Sequence, residues 1–239
     1  MSAAMGPNDQ FIRLFEAIKD LVNTIAGVKS YELELDAACG RSRRVKERRS
    51  EIRHVRDVRN VIAHPQAKSS APAVVVSPDL IARTQRLLDT LTTVRTANTA
   101  GVPRAQLFTA TTGTRLITVA DTMRAKRYTH VPILDEANRV IGVFNESAIF
   151  DYLVRETIIE LTDTMVVAEV MDHCRLNAGH TESFQFIRPG TTEDEMLDAL
   201  VKVEGEFTRV GALFVTPSGS PNEPLHRMIT IWDVMSGGT

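Results

Sequence analysis

The sequence predicts an α+β chain, with an all-α four-helix bundle over residues 1–99 followed by a tandem β-α-β-β-α pair over residues 100–239. Three observations predict it. Apolar residues recur every three or four positions as far as Val94, the spacing of helices with one buried face. Beyond Pro103, short β-prone runs alternate with helical stretches. The charge divides at the same place: residues 1–99 carry 16 basic and 11 acidic side chains, residues 100–239 carry 12 and 19. The net charge of −2 therefore hides two opposed halves, as expected of two domains with different partners.

Composition narrows the class. Two cysteines, Cys39 and Cys174, exclude a disulfide scaffold and a CxxC metal cluster. No run approaches the ~18 apolar residues of a membrane span. The opening MSAAMGPNDQ lacks the basic-then-apolar layout of a signal peptide. A cytoplasmic protein, free of membrane and without a required cofactor, is the expectation.

In the first half, Asn8 or Asp9 caps a helix whose stripe is Phe11, Leu14, Phe15, Ile18, Leu21, Val22 and Ile25, ended by Gly27. A second helical stretch covers 31–39 and stops at Gly40. A third covers 43–63, with Val45, Ile52, Val55, Val58 and Ile62, and stops at His64-Pro65. Ser77-Pro78-Asp79 opens a fourth, with Leu80, Ile81, Leu87, Leu88, Leu91 and Val94.

In the second half, a strand at 107–110, a helix at 115–126, strands at 130–134 and 140–144 and a helix at 147–153 make one unit, about 104–154. A second unit, about 165–235, repeats the order with a strand at 184–187, a helix at 192–203, strands at 211–215 and 226–231 and a closing turn at 232–235.

This repeat resembles a pair of cystathionine-beta-synthase (CBS) domains. The residues that carry the likeness are Met123, then His130-Val131-Pro132-Ile133-Leu134-Asp135, then Val140-Ile141-Gly142-Val143-Phe144. The second copy departs from the pattern, with Gly211 where Pro is usual and Arg227 in the place of the strand glycine. The resemblance implies an adenosine-containing regulatory ligand, AMP, ADP, ATP or a relative, held in a cleft between the units. Its ribose signature is Thr/Ser-x-x-Asp after the last strand. A carboxylate can accept from both ribose hydroxyls, and a hydroxyl three residues earlier, near a helix start, can meet a phosphate. The second copy has Thr230-Ile231-Trp232-Asp233, whereas the first has Asn145-Glu146-Ser147-Ala148. One site per chain is therefore expected, around Thr230 and Asp233. By resemblance Ile187 and Arg188 flank the ligand, Val210 and Gly211 lie near its base, and Arg188 or Arg209 neutralises phosphate. The plain alternative is that Thr230 and Asp233 form a helix cap.

Nine basic residues lie between Arg41 and Arg59, opposed by Glu47, Glu51 and Asp57. The stretch 41–64 ends in Arg59-Asn60-Val61-Ile62-Ala63-His64-Pro65. This ending resembles the Arg-x4–6-His motif of the HEPN superfamily (higher eukaryotes and prokaryotes nucleotide-binding), over residues 8–97. That likeness implies RNA as a partner, a homodimer with a shared cleft, and metal-independent endoribonuclease chemistry. Its catalytic set would be Arg59, Asn60 and His64. A histidine can take the 2′-hydroxyl proton and an arginine can hold the phosphate. The alternative is a non-catalytic ligand-binding signalling module whose helical domain mediates dimerisation or protein contacts. His54 reads as a surface histidine on a basic face. His173, Cys174 and His180 fit no common zinc spacing and read as a linker. Glu193-Asp194-Glu195 reads as an acidic first helical turn, and Cys39 as a buried structural cysteine.

Overall fold

The structure is a computed structural model. It describes residues 5–63, 74–155, 162–176, 182–202 and 209–235. The chain forms two compact units, Met1–Val94 and Arg95–Thr239. The division falls at Val94/Arg95 rather than at 99/100, because Ala97 and Ala100 are fully buried in the core of the second repeat.

The first unit has helices α1 (Pro7–Ala26), α2 (Leu35–Cys39), α3 (Arg43–Glu47), α4 (Arg49–Ala63) and α5 (Pro78–Thr92). Among the described residues, three long helices and two of about one turn thus stand where four were expected. Gly6, not Asn8 or Asp9, caps α1. Asn8 instead ties down the chain entering α5, donating to the Val74 carbonyl and accepting from the Val76 N–H at 2.8 and 2.9 Å. Gly27 ends α1 in the left-handed region at φ 70°. Residues 31–34 are not helical because the buried Asn23 amide takes their backbone. It donates to the carbonyls of Ser30 and Glu32 and accepts from the Glu34 N–H. The expected 43–63 helix breaks at Arg48 (φ −99°, ψ 10°). Phe11, Phe15, Ile18 and Val22 of α1 pack with Ile52, Val55, Leu87 and Leu91 into one core.

The second unit contains β1 (Val102–Pro103), α6 (Leu116–Lys126), β2 (His130–Leu134), β3 (Val140–Asn145), α7 (Glu146–Arg155), a 3-10 helix at Val167–His173, β4 (Glu182–Ile187), α8 (Glu193–Val201), β5 (Arg209–Val215), β6 (Arg227–Ile229) and α9 (Ile231–Met235). One sheet has the order β1-β6-β5-β4, and β2-β3 forms a hairpin of its own. The 107–110 strand shrinks to a single bridge, Ala110 parallel to Ile133, at the place that β4 holds beside β5. The repeat is visible in the cores. Val119, Met123, Val131 and Ile133 fill the first unit's interior, and Met196, Leu200, Val210 and Leu213 fill the second's. A third cluster joins the two copies, with Leu134, Val140 and Val143 from the first and Ala212, Phe214 and Met228 from the second.

Candidate functional site

The second-repeat motif sits where β6 gives way to α9. Asp233 Oδ2 accepts from the Thr230 N–H at 2.7 Å and from the Thr230 hydroxyl at 2.8 Å. Both side chains are half-buried. The pair is thus a helix-start cap, with the carboxylate fixed by its neighbour three residues back. Fixing a carboxylate at a half-exposed edge also presents it to a ligand at little ordering cost.

Strand register sorts the other expected residues into two groups. Ile229 pairs with Leu213, so Thr230 emerges beside the N-terminal end of β5, where Arg209, Val210 and Gly211 lie. Ile187 pairs with Val215 at the opposite end of the parallel β4/β5 pair. Ile187 and the exposed Arg188 therefore stand at the far edge of the sheet, against Gly219, whose added Cβ would come 3.3 Å from the Arg188 nitrogen.

Arg209 meets a partner that the sequence did not single out. Its Nε donates to Glu182 Oε1 at 2.5 Å, and a second guanidinium nitrogen pairs with the same oxygen. Glu182 Oε2 accepts from His130 Nε2 at 2.8 Å and from Asn145 Nδ2 at 2.9 Å. The Glu182 side chain is 2 % exposed and that of His130 10 %. The hydrogen bond and charge of His130, followed by those of Arg209, outweigh burial and hold the Glu182 pKa down to about 2. Asn145 stands at the first-repeat position that Thr230 holds in the second, and its Oδ1 caps α7 through the Ala148 N–H at 2.8 Å. His130 and Arg209 likewise open equivalent strands. Gly211 replaces the proline of the other copy for a steric reason: a Cβ there would lie 2.9 Å from His130 Nε2 and 3.0 Å from Glu182 Oε2.

In the helical unit, Arg59 lies over the Phe15 ring, 5.6 Å from its centroid, with Glu16 at 3.7 Å. Asn60 Oδ1 accepts weakly from Arg59 at 3.5 Å. His64 lies outside the described residues. Other cations of the basic stretch have acidic neighbours: Arg49 and Arg53 face Asp36, Arg48 faces Glu51 and Arg56 faces Asp57. His173 Nδ1 is 2.8 Å from Asp151 Oδ2, and burial pushes the Cys174 thiol up to about 12. His180 lies outside the described residues, and among those described no three His, Cys, Asp or Glu side chains gather as a metal site. Thr192 and Glu195 form a capping box at the start of α8, where the acidic turn was expected.

An apolar cavity of about 170 Å³ lies between α6, α7 and the 3-10 helix, lined by residues such as Leu116, Phe144, Ile149 and Tyr152. It is separate from the motif at Thr230. Among the described residues no helix is long and apolar enough to cross a membrane.

Residues 100–155, the span of the first repeat, match the family model of the CBS domain. The chain carries a CBS domain. Three solved structures show likeness to this chain. A complex of CBSX2 with AMP is 18% identical, covering 59% of this chain and 93% of that one, with a TM-score of 0.43. The CBS domain of a bacterial CNNM/CorC family Mg2+ transporter in complex with ATP is 17% identical over 59% and 84%, TM-score 0.42. The CBS domains of a transcriptional regulator from Streptococcus pneumoniae are 16% identical over 59% and 98%, TM-score 0.42. No curated protein matches the sequence.

Proposed function

We propose that this protein is a nucleotide-responsive regulator whose CBS pair binds one adenosine-containing ligand, such as AMP, ADP or ATP, at the second repeat. The observation that carries this reading is the Thr230–Asp233 pair at the β6–α9 junction. A carboxylate held by its own backbone neighbour keeps acceptor capacity for the two hydroxyls of a ribose. Val210 is buried beside this junction and gives it an apolar wall against which a flat base can lie. Arg209, with its side chain 69% exposed, is the cation beside this junction, and it reaches a phosphate only by leaving Glu182. Arg188 serves the same ligand in this reading only if the phosphates reach along β4.

The helical unit is the effector in this proposal. Its basic stretch 41–64, with Arg59, Asn60 and His64, would bind or cut RNA without metal, in a homodimer, under control of the ligand. The packing of Arg59 on Phe15 favours a second reading, a non-catalytic helical unit that mediates dimerisation or protein contacts.

Calorimetric titration of the full chain with AMP tests the ligand site. Hydrogen bonds to a charged group contribute about 1.5–3 kcal/mol, so Asp233→Ala should weaken AMP roughly 10- to 100-fold. Asp233→Asn keeps an oxygen for the Thr230 cap and should lose a similar share of affinity. Unchanged AMP affinity in both variants would make the pair a cap and nothing more.

A further inference from the structure

Glu182 is a buried carboxylate held by side chains of both repeats, and the proposed function leaves that arrangement unexplained. Its geometry is that of a filled anion site. Both carboxylate oxygens are engaged: Oε2 by His130 and Asn145 of the first repeat, Oε1 by Arg209 of the second. A carboxylate only accepts, so His130 Nε2 carries its proton toward Glu182, while Nδ1 faces the Thr129 hydroxyl at 2.8 Å. The donors come from three separate strands, β2, β3 and β5, and they converge on one point. Glu182 reaches that point as the first residue of β4, through the space that Gly211 leaves by lacking a Cβ.

The internal repeat shows what this arrangement replaces. His130 and Arg209 are equivalent residues, as are Asn145 and Thr230. In the second repeat the motif keeps Asp233, and Thr230 bonds to it. In the first, Ala148 supplies no carboxylate, and the Asn145 amide turns instead to a carboxylate from the other repeat.

We infer that His130, Asn145 and Arg209 form an oxyanion site between the two repeats and that Glu182 is its built-in occupant, which keeps phosphate-bearing ligands out of the first repeat. The ligand class of the bare site is a carboxylate or phosphate group. The exclusion of ligand from the first repeat rests on the nucleotide reading above; the anion site itself does not.

The test is to remove the occupant and offer a free one. The full chain carrying Glu182→Ala is melted in sodium formate and in sodium chloride at equal ionic strength. Formate should raise its melting temperature by about 3 °C or more over chloride, through preferential binding to the folded state, with no such gain in the wild type. An equal response of variant and wild type to the two salts would overturn the site. If Glu182→Ala does not fold, Glu182→Gln takes its place. It retains the shape and loses the charge, so it should lose less stability in acid than the wild type does; an unchanged acid profile in this variant would overturn the assignment. AMP titrated into the wild type should bind once per chain, and two AMP per chain would overturn the exclusion. Absence of AMP binding would sink the nucleotide reading, while the formate result would still decide the anion site.

Discussion

At the junction of hairpin and closing helix, the first repeat places Asn145 and Ala148 and the second Thr230 and Asp233. The same backbone geometry thus carries two different contents. In the second copy the cap is made of a hydroxyl and a carboxylate that can also serve a ligand. In the first, the cap acceptor is an amide whose other end is held by Glu182. A second difference runs the other way. The first repeat keeps a glycine on its strand, Gly142, where the second has Arg227. A Cβ on Gly142 would lie 2.5 Å from the Cys174 carbonyl, because the segment after the 3-10 helix crosses there and the Val143 N–H donates to that carbonyl at 2.7 Å. In the second repeat the crossing segment is the one that leads into β1, and the glycine stands on that segment. Gly101, at φ 65°, precedes β1 and lies against Met228 and Ile229, while Arg227 donates to the carbonyls of Ala100 and Gly101. The close approach of a crossing segment is what both copies preserve, and either partner can supply the missing side chain.

The strongest way to break this comparison is Gly142→Val. The atom it would meet is a backbone carbonyl, which cannot withdraw without moving the crossing segment, whereas Met171 Cε at 2.8 Å is the movable end of a side chain. The expected loss is about 3 kcal/mol or more, read as a lower urea midpoint. Arg227→Gly removes the two long hydrogen bonds of one guanidinium nitrogen, 3.2 and 3.3 Å, and should cost about 1.5 kcal/mol, half of the loss at Gly142 or less. Equal losses in the two variants would mean that the glycine's place is not what lets the segments approach.

An intermediate effect sharpens the comparison at Glu182. Its folded pKa of about 2 lies below the ordinary 4.5, with His130 and Arg209 as the causes. The unfolded chain therefore takes up this proton first as pH falls. The contribution of Glu182 is whole above about pH 4.5 and is lost as pH drops toward 2. Wild-type urea midpoints should fall through this window more steeply than those of Glu182→Gln. Parallel profiles would show that other carboxylates account for the acid loss.

Much of the second unit was legible because its signals are local. The β-prone runs at 130–134 and 140–144, and Thr230 and Asp233 three residues apart, are written in adjacent positions, and the strands and helices form close to where those runs lie. The Glu182 cluster was not legible in this way. His130, Asn145, Glu182 and Arg209 are scattered over 80 residues and meet only when the repeats dock. A signal was nevertheless present: equivalent strands open with His130 and Arg209, both able to be cations, and an acidic residue stands at the head of the strand that carries Phe184, Phe186 and Ile187. In the helical half, periodicity located the buried faces but not the breaks. The interruption at 31–34 is imposed by one side chain, Asn23, which captures backbone groups up to eleven residues away. The 107–110 strand is reduced to one bridge, to Ile133 of β2.

The smallest expected effect contrasts the helical unit with the repeats. Arg59 is held by a stacking contact with Phe15 and by a 3.7 Å approach to Glu16, with a third of its side chain exposed. Neither contact is strongly desolvated, so Arg59→Ala should cost about 0.5–1 kcal/mol of stability, far less than Gly142→Val. This small cost makes the variant a clean probe of chemistry. If the basic helix cuts RNA, the full chain degrades a single-stranded substrate in EDTA, and Arg59→Ala and His64→Ala each abolish cutting while the melting temperature moves by a few degrees at most. Cutting that survives in both variants would remove Arg59 and His64 from the reaction. A wild type that never cuts, with or without AMP, would leave Arg59 as the packing residue its contact with Phe15 describes, and the helical unit as a surface that binds RNA or protein without cutting.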